Sequence, residues 1–168
     1  MIARKIMLLG EIGVGKSSLA RRLVFDRFEF DYKPTIGVDI FRYEVEPTPA
    51  RGAMSFIIWD TDGNFGQAIF RHIYMKEASA ALIVGDMTRP QTLDTMLALG
   101  TGFMAEFPGR VLTYVVNKTD LVTDPEAAPL PPQLAAPSSR LIKTSAKNGI
   151  NVARAFIETA DVIARRGH

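Results

Sequence analysis

The chain contains no cysteine among its 168 residues. This absence excludes disulfide bonds, thiol nucleophiles, cysteine-ligated metals and lipids attached through a cysteine sulfur. A cysteine-free composition also suits a protein that works in a reducing compartment, and a cytoplasmic location is what we expect. The composition therefore predicts a protein without a direct membrane anchor.

Long apolar runs and a strong excess of either charge are also missing. No stretch approaches the roughly 20 apolar residues that a membrane-spanning helix needs. The 20 basic and 18 acidic side chains nearly balance, which gives a formal net charge of +2 and no argument for nucleic acid as a partner. With 47% hydrophobic and 23% charged residues, the composition is that of a globular protein, and we expect one domain over residues 1–168.

Residues 10–17 read Gly-Glu-Ile-Gly-Val-Gly-Lys-Ser, a complete G-x-x-x-x-G-K-S phosphate-binding motif. The apolar run at residues 5–9 predicts a buried strand before it. Apolar residues at helical spacing predict a helix after it, namely Leu19, Ala20, Leu23 and Val24. The alternative is a chance glycine-rich turn, which the correct strand and helix context disfavours.

Each residue type in this motif has a chemical reason. Glycines allow backbone N–H groups to surround phosphate oxygens, and the helix N-terminus behind them adds its dipole. The ammonium of Lys16 can contact the β- and γ-phosphates, and the hydroxyl of Ser17 can bind Mg²⁺. The predicted phosphate contacts come from Gly13, Val14, Gly15, Lys16, Ser17 and Ser18.

Strand and helix patterns alternate along the rest of the chain. Further strands are predicted at 41–46, 54–59, 80–84, 111–116 and 140–143, and helices at 65–77, 90–107 and 152–166. The turn at 47–52 predicts a hairpin between the first two of these strands. The alternation predicts an α/β fold with a mostly parallel six-stranded sheet flanked by about five helices.

Residues 124–139 contain five prolines, which forbid a long helix. We expect an ordered loop there, with at most a short helical turn. A proline-rich ligand for a partner domain is the less favoured alternative.

Four more motifs follow the phosphate loop in a fixed order. They are Tyr32–Asp39, Trp59–Gly63, Asn117–Asp120 and Ser145–Lys147, and each comes next to a predicted strand. Together with the phosphate loop, this series resembles the Ras superfamily of small GTPases, which have the P-loop NTPase fold. The Thr-Ile-Gly-Val-Asp run at 35–39 is most similar to the Rab branch, and the resemblance covers residues 5 to about 164. The lack of cysteine favours a soluble, prokaryotic-type member over the alternative of a sequence cut before a C-terminal tail.

The resemblance implies a protein that binds GTP and GDP together with Mg²⁺. Ser17, Thr35 and Asp60 match the family positions that hold the metal. Lys16, Thr35, Gly63 and Asn64 match the catalytic positions. The Thr35 hydroxyl and the Gly63 N–H would make contacts that depend on the γ-phosphate and break on hydrolysis.

Guanine recognition is implied at the other motifs. A carboxylate at Asp120 accepts two hydrogen bonds from the N1–H and amine of guanine, and adenine has no matching donor pair. The backbone N–H of Ala146 would donate a hydrogen bond to the guanine carbonyl oxygen. The other nucleotide contacts implied by the resemblance come from Tyr32, Asn117, Lys118, Ser145 and Lys147. Phe28 resembles the aromatic residue that packs on the base, although an ordinary core role is the alternative.

Three departures from the family pattern bear on the rate of hydrolysis. Asn64 stands where the family has a glutamine that orients the attacking water, and it is one methylene shorter. Asp62 places a carboxylate near developing negative charge, unless it points into solvent. Ile12 adds bulk beside the γ-phosphate. Two functions therefore stay open: a switch that hydrolyses GTP slowly, and a GTP-binding scaffold with negligible turnover.

The resemblance also implies protein partners. An activating protein, an exchange factor and effectors would contact the two switch loops, and the sequence does not name them.

Overall fold

Six strands form one sheet in the computed structural model, which describes residues 1–28, 38–61 and 76–167. Their order across the sheet is β2-β3-β1-β4-β5-β6. Only the β2–β3 pair is antiparallel, and the other four neighbouring pairs are parallel. The predicted mostly parallel six-stranded sheet is confirmed. The strands are β1 (Ile2–Leu9), β2 (Val38–Val45), β3 (Met54–Thr61), β4 (Ala80–Asp86), β5 (Val111–Asn117) and β6 (Leu141–Lys143).

Four α-helices lie in the described part of the chain: α1 (Lys16–Phe25), α2 (Pro90–Glu106), α3 (Pro132–Ala135) and α4 (Val152–Arg166). A 3₁₀ turn at Thr119–Leu121 follows β5. The four-residue α3 is the short helical turn expected within the proline-rich segment. The helix predicted at 65–77 falls almost entirely outside the described residues and stays a prediction.

The sheet has a core on each face because successive side chains of a strand point to opposite sides. In β1, Ile6 and Leu8 belong to one core and Met7 and Leu9 to the other, and all four are at most 2% exposed. Buried side chains of α1 and α4 complete the first core. Those of α2 and α3 complete the second. This two-faced burial explains the near-continuous apolar runs of β4 and β5.

The predicted hairpin is present, and its turn is fastened to the C-terminal helix. Backbone hydrogen bonds join Thr48 and Arg51 in both directions, at 2.8 and 3.1 Å. The buried Arg51 guanidinium donates to Asp161 of α4 at 2.7 Å and to the Glu46 carbonyl at 2.7 Å. The antiparallel edge is thus held to a helix more than 100 residues later.

The carboxyl ends of the parallel strands meet at one edge of the sheet. The strand β1 lies between β3 and β4, so the chain leaves the sheet at a point where the strand order reverses, which is where α/β proteins bind ligands. The phosphate motif occupies this point. Of the helices that the structure describes, none has both the length and the apolar character needed to cross a membrane.

Candidate nucleotide-binding site

The phosphate motif forms a tight loop between β1 and α1. Gly10 and Gly15 adopt φ angles of +148° and +106°, which residues with side chains rarely adopt. Space is limiting as well. A Cβ at Gly10 would overlap the carbonyl oxygen of Val84, and one at Gly15 would overlap the side-chain nitrogen of Asn117. The loop can therefore form only with glycine at these two positions.

Lys16 is the first residue of α1 and is only 6% exposed. Its ammonium donates to the carbonyls of Gly10 and Glu11, at 2.8 and 3.0 Å. These bonds hold the charged group against the loop, at the N-terminus of α1. A fixed ammonium and a helix N-terminus at one place suit an anion.

Ser17 and Asp60 meet beside this loop. The Ser17 hydroxyl donates a hydrogen bond to Oδ2 of Asp60, which is fully buried near the end of β3. A hydroxyl and a carboxylate oxygen are ligands that Mg²⁺ prefers, so the pair fits this ion. Residues 1–28, 38–61 and 76–167 contain no group of three or more His, Asp or Glu side chains suited to a metal. A metal here would depend on this pair and on phosphate oxygens.

Asn117 joins the phosphate loop to the base-recognition segment. Its side-chain amide donates to the Val14 carbonyl at 3.0 Å. Its Oδ1 accepts from the Thr144 hydroxyl at 2.9 Å and from the Ala146 N–H at 3.1 Å. The side chain is buried, and all these bonds lie within the protein. The phosphate loop and the segment after β6 thus both depend on one residue at the end of β5.

The remaining base-recognition residues lie around the same end of the sheet. The Ser145 hydroxyl donates to Oδ1 of Asp120 at 2.8 Å and accepts from the Asn148 N–H at 3.0 Å. This contact orients the carboxylate expected to read guanine. Because the Ala146 N–H is directed at Asn117, a guanine carbonyl would have to share it in a three-centre hydrogen bond.

Lys118 has a left-handed backbone conformation, with φ of +68°, and its ammonium lies 3.1 Å from Oδ2 of Asp86. Burial raises the pKa of Asp86. Hydrogen bonds from Thr88 and the nearby Lys118 charge outweigh this effect and leave the pKa below its ordinary value. The lowered pKa favours the carboxylate form of Asp86, and the contact fixes the aliphatic stem of Lys118 near the end of β4.

Arg22 reaches the base-recognition segment from α1. Its guanidinium donates to the Ala146 carbonyl at 2.8 Å and also to the Lys147 carbonyl. The side chain is only 18% exposed. Charge-assisted bonds of this kind are stronger than neutral ones. The helix that begins at the phosphate loop thus also supports the opposite end of the site.

The outer side of the phosphate loop is held by α2 and the segment before it. Arg89 donates to the Ile12 carbonyl at 3.0 Å, and its guanidinium lies 3.7 Å from the Glu11 carboxylate. Thr95 donates to the same carboxylate at 2.6 Å. The Ile12 side chain itself is 39% exposed. Its bulk therefore lies on the surface of the loop rather than in the core.

The structure brings together one set of predicted site residues and leaves another undescribed. The phosphate loop, Asp60 and the 117–120 and 145–147 segments share one edge of the sheet. Phe28 is half-buried and packs against the first core. Tyr32, Asp62, Gly63 and Asn64 lie outside the described residues, as does Thr35.

Sequence reasoning missed four supporting residues. Asp86 is the last residue of β4, at the same edge of the sheet as the predicted site motifs. Thr144 directly precedes the Ser145–Lys147 motif. Their positions at strand ends could therefore have identified both residues. Arg22 and Arg89 bind residues that are far away in the sequence, and neither arginine belongs to a recognisable motif. The sequence alone therefore gave no reason to single them out.

Comparison with known proteins gives one consistent result. The model of the Ras family matches residues 5–165. Ras-related protein Rab-22A of Homo sapiens is 34% identical over 157 residues, which cover 92% of this chain and 80% of the relative. Ras-related protein Rab-31 of Rattus norvegicus is 32% identical over 157 residues, with 90% and 78% covered. Ras-related protein RABF2a of Arabidopsis thaliana is 32% identical over 167 residues, with 98% and 82% covered.

Proposed function

We propose a function on the premise that this chain belongs to the Ras family of small GTPases and is of the Rab type. The chain is a GTPase, and we propose that it acts as a slow molecular switch. It would bind GTP or GDP with Mg²⁺ in a single domain spanning residues 1–168. Partners would distinguish the two nucleotide states.

The observation that carries this proposal is the junction at Asn117. The phosphate loop and the Ser145–Lys147 segment are separated by more than 100 residues, yet one buried amide binds both. A phosphate site and a base site held at a fixed separation suit one ligand that has both groups, which is a nucleotide.

At the phosphate end, the loop amides and the Lys16 ammonium would bind the β- and γ-phosphates. Their charge is positioned before the substrate arrives, so little reorganisation is needed as negative charge develops. Ser17 and Asp60 are the described residues that would hold Mg²⁺, with Thr35 added from the resemblance. The ion would neutralise charge on the β- and γ-phosphate oxygens.

At the base end, Asp120 would accept two hydrogen bonds from guanine, while the Ser145 hydroxyl fixes the carboxylate. An adenine ring lacks the matching pair of N–H donors and would leave the carboxylate without hydrogen bonds, which is the physical basis for rejecting ATP. Ala146 would contact the guanine carbonyl, and Lys118 and Phe28 would flank the base. Lys147 completes the segment and is held by Arg22.

Hydrolysis would be slow. Thr35, Gly63 and Asn64 would act on the γ-phosphate and the attacking water in their family roles, and Asn64 has less reach than glutamine. The exposed Ile12 side chain supports this view because it adds bulk at the surface of the loop. An activating protein, an exchange factor and effectors are the proposed partners. We expect the protein in the cytoplasm and without a nucleic-acid partner.

Nucleotide exchange tests the proposal. Trp59 is the single tryptophan of the chain, and the Lys5 ammonium lies 3.8 Å from its ring centroid. Trp59 directly precedes Asp60, which we propose as a magnesium ligand. Replacing GDP with a non-hydrolysable GTP analogue should therefore change the tryptophan emission. ATP should not compete for the site, and EDTA should accelerate GDP release. Equal affinity for ATP and GTP would refute the guanine assignment.

Single-turnover hydrolysis over a day measures the rate directly. Slow conversion of bound GTP to GDP and phosphate supports the switch. Conversion that stays undetectable would favour the scaffold alternative.

A further inference from the structure

A groove borders the amino ends of β5 and β6, at the opposite end of the sheet from the phosphate loop. Its volume is about 1030 Å³, and α2, the segment before β6 and the last turn of α4 form its walls. Arg110 and Arg140 directly precede β5 and β6. At about 3.3 Å per residue, β5 places this end roughly 20 Å from Asn117. The groove is therefore separate from the proposed nucleotide site.

The groove has an unbalanced positive charge. Arg110, Arg140 and Arg166 line it, and none of its lining residues is acidic. Within the described residues, no carboxylate forms an ion pair with any of the three. Glu158 is near Arg140, but it is bound by Arg154 at 2.8 Å. An anion would find three guanidinium groups without a competing carboxylate among them.

Two of the arginines are held in place by the backbone. Arg140 donates through Nη1 to the Leu112 carbonyl at 2.9 Å, and Arg166 donates through Nη1 to the Arg110 carbonyl at 3.2 Å. A guanidinium has five N–H donors in a fixed fork, so these contacts use only part of its capacity. Burial, with the charges of Arg166 and Arg165, lowers the pKa of Arg140. Fixed like charges of this kind favour a bound anion.

Between the arginines the groove has an apolar part and several polar side chains, namely Thr101, Gln133 and Ser138, with the buried Ser139 hydroxyl at its edge. Leu97, Leu112 and Tyr114 line it, together with Met104, which is 49% exposed. The Ser139 hydroxyl is buried and has no hydrogen-bond partner within the described residues. A ligand that fits must therefore combine negative charge with an apolar body.

We propose that this groove binds an acidic segment of a partner protein that carries an apolar side chain between its carboxylates. Arginine forks bind carboxylates in a bidentate geometry, and the leucine and methionine side chains provide a surface for the apolar group. The volume is at the upper limit of small-molecule sites, about 1,000 Å³, which favours a peptide over a single small ion. Because the groove is distant from the phosphate loop, binding is independent of the bound nucleotide.

Titration by ¹⁵N-edited NMR tests the proposal. The probe is the peptide acetyl-Glu-Glu-Leu-Phe-Glu-Glu-amide, and the control peptide has glutamine at each glutamate. In low salt, the acidic peptide should shift the backbone amides of Arg110 and Leu112, with equal affinity for the GDP and GTP-analogue forms. The double substitution Arg110→Gln and Arg166→Gln should weaken binding at least tenfold. Arg42→Gln is the matched control, since Arg42 is an exposed arginine on β2.

Several outcomes would overturn the proposal. They are no binding of the acidic peptide, equal binding of the glutamine peptide, and unchanged affinity in the double variant. If the double variant does not fold, Arg110→Gln alone replaces it, because the Arg110 side chain makes no hydrogen bond within the described residues. Preferential binding of inorganic phosphate or phosphatidylserine vesicles would assign the groove to another ligand. Self-association through the same residues, seen by light scattering, would assign it to a second copy.

Discussion

The side-chain amide of Asn117 donates a hydrogen bond at 3.0 Å to the carbonyl oxygen of Val14, which lies 103 positions earlier in the chain. Val14 is in the phosphate loop, whereas Asn117 begins the base-recognition motif. The bond is buried, so its loss would leave unsatisfied polar groups in the interior. We therefore expect affinity for phosphate and affinity for the base to be coupled through the protein.

Asn117→Ala should weaken GDP binding by more than tenfold and also destabilise the protein. The substitution removes the Asn117 bonds to the Val14 carbonyl, the Thr144 hydroxyl and the Ala146 N–H, at about 1–3 kcal/mol for each buried group. Isothermal titration and urea unfolding measure the two effects. Asn148→Ala is the control because Asn148 is exposed. If the two variants bind GDP equally well, the junction is not essential.

Arg22→Met should accelerate GDP dissociation by about tenfold, since charge-assisted hydrogen bonds contribute about 1.5–3 kcal/mol. The variant keeps the apolar stem but no longer holds the Ala146 and Lys147 carbonyls. Stopped-flow release of a fluorescent GDP measures the rate. Arg27→Met, an exposed substitution near the end of the same helix, should leave it unchanged. A parallel increase in both variants would indicate a general charge effect instead.

Asp120→Asn should weaken GTP binding by several kcal/mol, on the order of a lost charged hydrogen-bond pair. It should improve binding of xanthine nucleotides, whose additional carbonyl accepts from the amide. Competition assays with GTP and XTP measure the change. Asp124→Asn, an exposed carboxylate in the following loop, serves as the control. Unchanged preference for GTP in Asp120→Asn would remove this residue from base recognition.

The sequence was sufficient for most of the fold because the strands are buried on both faces and the helices are amphipathic. The continuous apolar runs of β4 and β5 predicted these two strands without any knowledge of the tertiary structure. Glycine ordinarily weakens the interior of a helix, and α2 has two glycines near its middle, Gly100 and Gly102. The structure shows that Gly100 is required there, since a Cβ would overlap the Tyr114 hydroxyl. Such a requirement depends on a neighbouring strand and is invisible in the helix itself.

The site was only partly predictable. The phosphate loop and Asp120 have local signatures, and strand ends place them at one edge. The support from Arg22 and Arg89 depends on side chains that cross between elements, and neither has a local pattern. The sequence predicted that the Ala146 N–H binds guanine, but it did not predict that this N–H already donates to Asn117. That contact forms only when β5 and β6 are paired.

Stability should depend on the protonation of Asp86. Its folded-state pKa lies below the ordinary value of 3.8, so its contribution is complete above that pH and is lost as the pH falls through the lower folded value. Urea midpoints measured from pH 7 to pH 2 should therefore fall less steeply in acid for Asp86→Asn than for the wild type. Asp94→Asn, an exposed change on α2, should retain the wild-type slope. Identical slopes in all three proteins would contradict this account.

Asn64→Gln should raise the unassisted rate of hydrolysis by several-fold, because it restores the reach toward the attacking water. Ras, the reference member of the family, turns over unassisted at roughly 10⁻⁴ s⁻¹, and we expect the wild-type chain at or below that order. Single-turnover release of phosphate measures the rate. A gain in the double variant with Ile12→Gly that exceeds the sum of the single gains would show that both residues act on one water site. A rate that stays unchanged or falls in Asn64→Gln would end the water-positioning explanation.

The hydrogen bond between Asn117 and Val14 spans 103 positions, and it also limits when nucleotide binding can begin during synthesis of the chain. A ribosome adds about 5–20 residues per second, and domains fold as their segments emerge. The phosphate loop is made early, but its partner Asn117 and the segment ending at Lys147 come more than 100 residues later. A nascent chain can therefore acquire nucleotide only after the segment ending at Lys147 has left the exit tunnel.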